Sequence, residues 1–324
     1  MRVPFIVYAD FECFTESIST CTSNDSRSYT EKYQKHNPSG FCYLIKCFDD
    51  SIFPSKLVKY TAELPDEDIP QIFVERLEAD FKTIYESFTT VNKKMIMTAE
   101  DEISFLEGTH CHICEGVLRS DRVRDHDHLT GNFRGAAHDH CNKDFQVPKY
   151  VPVVFHNLSG YDAHLFVNNL GITKGKIRCL PTTDEKYISF SKDIVMSTSK
   201  GKDGKNYENK LDIRFIDSFR FMQTSLAKLV ENLPSRSFKN LRRFYKGDKF
   251  GLLRRKGVFP YDWFNNFENL NANKLLPIDN FYSKLYDCGI TYEGHFHAEK
   301  VWETFGIRHS ENIMTPTSYQ TFYS

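Results

Sequence analysis

Residues 111–142 read CHICEGVLRSDRVRDHDHLTGNFRGAAHDHCN, and this stretch decides how the rest of the chain is divided. Cys111-x2-Cys114 and His138-x2-Cys141 are two ligand pairs with knuckle spacing, and the 23 residues between them can close one tetrahedral site. Thiolate and imidazole are the ligands zinc prefers, and four protein ligands leave no open position, so the ion is expected to be structural. Between the pairs lie Asp125-His126-Asp127-His128, then Thr130-Gly131 and Arg134-Gly135, and Asn142 follows the last ligand directly. A coincidental meeting of Cys and His clusters is the plainer alternative. The agreement of both spacings with the intervening run argues against it.

Composition changes abruptly at the edges of this stretch, since six of the twelve histidines fall between positions 110 and 140. On its amino-terminal side, VPFIVYA (3–9) reads as a buried strand ending at Asp10 and Glu12. Residues 14–39, rich in Ser and Thr, read as a loop, and GFCYLIKCF (40–48) and KLVKYT (56–61) as paired strands. A helix is expected from about Asp66, its N-cap, to Phe88, because Ile69, Ile72, Phe73, Leu77, Phe81, Ile84 and Phe88 keep a helical period. Thr98 with Asp101 marks a second helix start, which Gly108 ends. On the carboxyl-terminal side, VPVVFH (151–156) and LDIRFIDS (211–218) are apolar strands, and residues 199–209 are a polar hairpin tip.

The chain has 324 residues, 40% hydrophobic and 26% charged, which suits a soluble globular protein of one large or two ordinary domains. The net charge of -1 hides local asymmetry and does not exclude nucleic acid. No apolar run is long enough for a membrane span, and no signal peptide is visible. Nine scattered cysteines suit a reducing compartment, nuclear or cytoplasmic, better than a disulfide framework.

The segment 111–142 closely resembles the ββα-metal (His-Me) finger of recombination endonuclease VII-like proteins. The resemblance implies that Asp125 and Asn142 hold Mg²⁺ at the scissile phosphate, that His126 is the general base, that His128 assists or replaces it, and that Arg134 touches phosphate. His138 departs from the pattern, because many relatives carry a cysteine there. A finger that only binds or braces is the competing expectation.

Asp10-Phe11-Glu12 after one apolar strand and Asn157-Leu158-Ser159-Gly160-Tyr161-Asp162 after another are weak signals singly. In this order they resemble the first two exonuclease motifs of family B DNA polymerases. PVVFHNLSGYDAHLF, IRFIDSFRFMQTSLAKLVENL, KGVFPYDW and FYSKLYDCGI extend the likeness toward the protein-primed polymerases of Polinton/Maverick-type elements. That family implies an α/β, ribonuclease H-like 3′–5′ exonuclease fold. Asp10, Glu12 and Asp162 would be Mg²⁺ ligands, and Asn157 and Tyr161 would position a DNA strand. The third motif, Tyr-x3-Asp, expected after VWETFGI, is missing, as are Ser-Leu-Tyr-Pro and Asp-Thr-Asp of the polymerase palm. The chain is expected to be an amino-terminal portion of such a polymerase, without synthesis of its own.

Residues 236–256 are strongly basic with interleaved aromatics. Arg242, Arg243, Tyr245, Lys246, Arg254 and Arg255 are candidate contacts to single-stranded DNA or a primer terminus, and a solvated loop with core aromatics is the alternative. The expected division is a discontinuous exonuclease-like domain (1–108 and 148–306), a zinc finger insert (109–147) and a divergent, poorly ordered tail (307–324). Zinc and Mg²⁺ are the expected cofactors, and DNA, with a terminal protein, the expected partner. Rival functions are a non-catalytic DNA- or terminal-protein-binding module and a Mg²⁺-dependent structure-selective endonuclease.

Overall fold

The computed structural model describes residues 3–18, 34–145, 148–183, 187–201, 203–284 and 286–307, without the side chains of 87–90. In chain order, β1 (Phe5–Ser17), β2 (Gln34–Cys47) and β3 (Lys56–Thr61) precede α1 (Ile69–Thr90) and α2 (Ala99–Glu107). β4 (Arg122–His126), β5 (Phe133–His138) and α3 (Asp139–Asp144) follow, then β6 (Tyr150–Phe155) and α4 (Asp162–Phe166). β7 (Ile177–Pro181), β8 (Tyr187–Lys200) and β9 (Asn206–Asp217) come next. The remaining helices are α5 (Phe219–Met222), α6 (Leu226–Glu231), α7 (Leu241–Phe244), α8 (Asp248–Leu252) and α9 (Tyr292–Phe305).

Seven strands form one mixed sheet in the order β3-β2-β1-β6-β9-β8-β7, and β4 and β5 form a separate two-stranded sheet. β1, β6 and β9 are parallel to one another, while the flanking strands on both sides run antiparallel. The architecture is thus mixed α/β, with the finger set apart from the large sheet.

β1 shows how the sequence builds two faces. Phe5, Val7, Ala9 and Phe11 alternate into the main core, as the period of a strand requires. Tyr8, on the opposite face, packs with Cys42, Leu44, Phe238, Leu241, Phe250 and Leu253 in a second cluster. Asp10 and Glu12 share the parity of Tyr8, so β1 turns its acids away from the main core.

α1 covers the main core with the expected stripe: Ile69, Phe73, Leu77, Phe81 and Ile84 are buried, and Ile72 packs against them. The Phe88 side chain lies outside the described residues. The helix begins later than expected. Asp68 rather than Asp66 caps it, accepting the Gln71 N–H at 3.0 Å, and Pro70 occupies the first turn, where a missing N–H costs nothing. Phe73 meets the rings of Phe11, Phe41, Tyr43, Phe155 and Phe166 with centroids 4.8–6.2 Å away. Phe73→Ala should therefore cost about 3–5 kcal/mol, seen as a lower urea midpoint with an unchanged slope.

Other boundaries moved as well. The expected loop at 14–39 is shortened at both ends, because β1 continues to Ser17 and β2 begins at Gln34, paired across a bulge at Glu12/Cys13. Backbone pairing at a sheet margin does not need apolar side chains. Residues 19–33 lie outside the described chain. The expected 199–209 tip narrows to the residues between Lys200 and Asn206. The tail expectation falls on residues 308–324, also outside the described chain, whereas Ile307 is buried.

Candidate functional site: a zinc-type knuckle and an acidic cleft

The finger starts from its knuckle. The Cys111 N–H donates to the Gly116 carbonyl and the Glu115 N–H to the Cys111 carbonyl, both at 2.8 Å. Glu115 takes a left-handed φ of 59° to close this turn. Cys111, Cys114, His138 and Cys141 each offer a donor atom, and the four atoms lie within 4.8 Å of one another. The His138 Nε2–H donates to the Val117 carbonyl at 3.1 Å, while Nδ1 stands 3.4 Å from the Cys114 sulfur and 3.7 Å from the Cys141 sulfur. That bond fixes the tautomer and leaves Nδ1 as the ligand atom.

Burial pushes the Cys111 thiol up, but N–H groups of Cys114, His138 and Ile113 outweigh it and hold it at about 6. Burial and the thiols of Cys114 and Cys111 drive Cys141 up to about 12. The Val117 carbonyl, with the cysteine sulfurs, raises His138 to about 9. A divalent soft cation relieves this crowding by replacing the protons. The donor set fits zinc.

β4 carries the Asp-His pair. Asp125 is 1% exposed. Its Oδ1 accepts from Arg134 at 2.7 Å and its Oδ2 lies 2.7 Å from His112 Nε2. The ladder passes from Asp125↔Gly135 to His126↔Phe133 and leaves Arg134 of β5 as the extra residue, while Asp125 and His126 are consecutive strand residues that point to opposite faces. His126 is half-buried, and its ring stacks on that of the exposed His128 at 4.7 Å. Asp127 Oδ1 receives the N–H groups of Leu129 and Thr130 and shapes the turn. Asn142 sits half-buried in α3, next to Cys141. Of the expected Mg²⁺ pair, Asp125 is already engaged at both oxygens.

The finger is tied to what precedes it. The Lys93 N–H donates to the His128 carbonyl at 2.8 Å, and the Ile96 N–H to the Gly131 carbonyl at 2.7 Å. Arg122 donates to the carbonyls of Phe105, Leu106 and Gly108 at the end of α2, and Arg124 lies over the Phe105 ring and pairs with Glu102 at 2.5 Å.

The second candidate region is a cleft of about 810 Å³ on the acidic side of β1. Asp10, Glu12, Asn157, Tyr161 and Asp162 all line it, so the structure brings these expected site residues together. Asp162, at the start of α4, accepts the Phe11 N–H at 3.3 Å. Tyr161 OH lies 2.8 Å from His36 Nδ1. Asn157 takes φ 74°. Its N–H, with that of Ser159, donates to Asp217 at 2.9–3.0 Å. Among the described residues the Cys–His cluster gathers as a ligand group, and the cleft carboxylates do not. His36, Lys256 and Tyr261 also line the cleft, and Asp217 supports it. Nothing in local sequence spacing marks them, because each reaches the cleft from a distant part of the chain.

Burial and the neighbouring Asp10 carboxylate push Glu12 up to about 8, against Lys256. Burial and Asp10 likewise raise Asp162 well above the usual carboxylate range, against the Phe11 N–H. The unfolded chain releases these protons near pH 4, whereas the folded chain keeps them longer. The stability Glu12 contributes is full at acid pH and is lost as pH rises through about 8. Glu12→Gln should remove part of that loss. Thermal melts at pH 6 and 9 should show the variant gaining on the parent at the higher pH.

The basic stretch is largely occupied by its own chain. Phe238 and Phe250 are buried, with Arg242 stacked over Phe250 at 4.1 Å and Arg254 over Phe238 at 5.4 Å. Arg243 pairs with Asp50 and Arg255 with Glu293. Tyr245 packs edge-on against Phe305, and Lys246 is exposed.

Residues 79–151 match the family model for recombination endonuclease VII. No curated protein and no solved structure matches the chain. The chain therefore carries a recombination endonuclease VII domain, a nuclease module whose Cys3His cluster suits structural zinc. Such a domain implies DNA as a partner. The match is wider than the expected 109–147 insert, in keeping with the bonds from Lys93, Ile96 and α2. Nothing in these comparisons supports the family B polymerase resemblance. No helix among the described residues is long and apolar enough to cross a membrane.

Proposed function

We propose that the finger cuts DNA internally, with His126 as the general base. The observation that carries this reading is the convergence of the four zinc-type donor atoms within 4.8 Å. That cluster ties the Cys111–Cys114 knuckle to the end of β5 and to α3, and β4, paired with β5, ends at the half-buried His126. An imidazole can take a proton from water near neutral pH. Arg134 holds Asp125 in place and is a phosphate contact only through its remaining donors. A Mg²⁺ ion would stabilise charge on the phosphoryl oxygens and the leaving group. Asp125 and Asn142 are its proposed ligands, and each engaged Asp125 oxygen keeps a second lone pair. Incubation of the purified chain with Mg²⁺ and end-labelled linear, branched and single-stranded DNA tests the reading. Internal cuts support it. Binding without any cleavage sinks it and leaves a DNA-binding module.

A second reading attaches to the large sheet. Asp10 and Glu12 on β1 and Asp162 after the adjacent parallel β6 face one cleft, and ligands of open α/β sheets bind outside the carboxyl ends of parallel strands. This arrangement supports a ribonuclease H-like exonuclease frame in which the three acids are Mg²⁺ ligands and Asn157 and Tyr161 meet a DNA end. Progressive shortening from a 3′ end in the same assay supports it, and its persistence in Asp162→Asn overturns it.

A further inference from the structure

His112 stands inside the knuckle, between Cys111 and Cys114, yet its contacts run to the other half of the finger. Its N–H donates to the Ala136 carbonyl at 2.9 Å. Its ring lies against Gly135, where a Cβ would come within 2.8 Å of His112 Cβ and Cγ. Gly135 also takes a φ of 156°. His112 Nε2 reaches Asp125 Oδ2 at 2.7 Å. One knuckle residue thus touches β5 twice and β4 once, between two zinc-type ligands.

The bond to Asp125 matters because of where that carboxylate is. It is 1% exposed, and a buried carboxylate is costly unless its oxygens are bonded. Arg134 supplies one bond and the compensating charge, and its guanidinium is itself stacked over Phe145 at 4.1 Å. His112 supplies the other. The next residue is His126, the last of β4, paired with Phe133. Asp125 and His126 share one planar peptide unit, so a displaced Asp125 backbone displaces the base of the His126 side chain.

We infer that His112 is a positioning residue, a strut that carries the order of the metal-bound knuckle into the Asp125–His126 strand end. It does not touch DNA and acts through Asp125. The inference rests on the nuclease reading of the finger. It goes beyond that reading by giving the knuckle a role in the site as well as in the fold.

His112→Leu and His112→Gln test it. Glutamine keeps an N–H donor able to reach a carboxylate, and leucine keeps bulk alone. Both variants should retain one zinc per chain by metal analysis, since no ligand is changed. His112→Leu should lower kcat for internal cutting about tenfold to a hundredfold, as loss of a supporting partner around a metal-held site does, with KM nearly unchanged. His112→Gln should recover most of that loss. Leucine cutting at the parent's rate, or glutamine doing no better than leucine, overturns the strut.

The ring nitrogen resonances of His126, read by NMR, give a result that needs no cleavage. They should shift in His112→Leu and return toward the parent's in His112→Gln, and unchanged resonances in both overturn the inference. If the parent cuts no DNA, the nuclease reading falls and the resonances still judge the strut. If His112→Leu loses its zinc, His112→Asn takes its place. Its shorter amide should lose the Asp125 bond and shift the same resonances, and an unshifted His126 again overturns the inference.

Discussion

Removing zinc with a chelator is expected to unfold the finger, abolish internal DNA cutting and leave the seven-stranded sheet standing. The apolar core of this module is too small to hold it. Within the segment from α2 to α3 the buried hydrophobic residues are Phe105, Cys111, Leu129, Ala136 and Ala137. A module of this size usually needs a metal or a disulfide. Structural zinc contributes about 10–16 kcal/mol in comparable small folds, more than one Phe, one Leu, one Cys and two Ala side chains supply by burial. The large sheet has its own core, in which Phe5, Val7, Phe73, Phe81, Val153, Phe155, Phe166 and Phe215 pack without any finger residue. Limited proteolysis with mass spectrometry should find new cleavage between about residues 91 and 149 after chelation, with the strands of the sheet still protected. Cys141→Ser should give the same pattern without chelator. Equal protection of the finger with and without zinc would show that the four donors are not a folding site.

The zinc site was legible because its chemistry is local. Two short spacings name four ligands, and no long-range fold is needed to see them. The α1 stripe was legible for a similar reason, since Phe73, Leu77 and Phe81 lie on one helical face wherever the helix goes. What the sequence hid is chemistry made by contact across the chain. Lys192 is 1% exposed and meets Glu78 at 2.7 Å and Thr173, a pairing no pattern around position 192 announces. No spacing singles out His112 between its two cysteines, because its partner Asp125 is reached only once the hairpin closes. The basic stretch left two readings open, a DNA path and a loop with core aromatics. Arginines interleaved with rings resemble a stacking platform, but composition does not say whether a ring is covered. Here Phe238 and Phe250 are core, and the cations lie on their outer faces. Strand limits were misread for a third reason. β1 and β2 continue through polar residues, because backbone hydrogen bonds at a sheet margin ask little of side chains.

His126→Ala should lower internal cutting by about a hundredfold to ten-thousandfold, the usual worth of a positioned general base, and change little else. The ring is half-buried at a strand end and is no part of the zinc cluster, so zinc content and the melting temperature should stay close to the parent's. His128 is the competitor. Its ring stacks on His126 at 4.7 Å and is the more exposed of the two, so water reaches it at least as easily. The two differ in what holds them. His126 follows directly on the buried Asp125, fixed by two bonds at 2.7 Å, whereas His128 follows Asp127, whose carboxylate is turned into the loop to bind Leu129 and Thr130. A base must be held still to act, which favours His126. His128→Ala should therefore lose no more than about tenfold. The reverse order of losses would move the base to His128, and full cutting by the double variant would remove both imidazoles from the chemistry. The cleft supplies the control. Asp162→Asn lies outside the finger and should leave internal cutting unchanged while stopping any shortening from a 3′ end. If that variant stops internal cutting and His126→Ala does not, the active centre lies in the cleft and the finger serves only to bind.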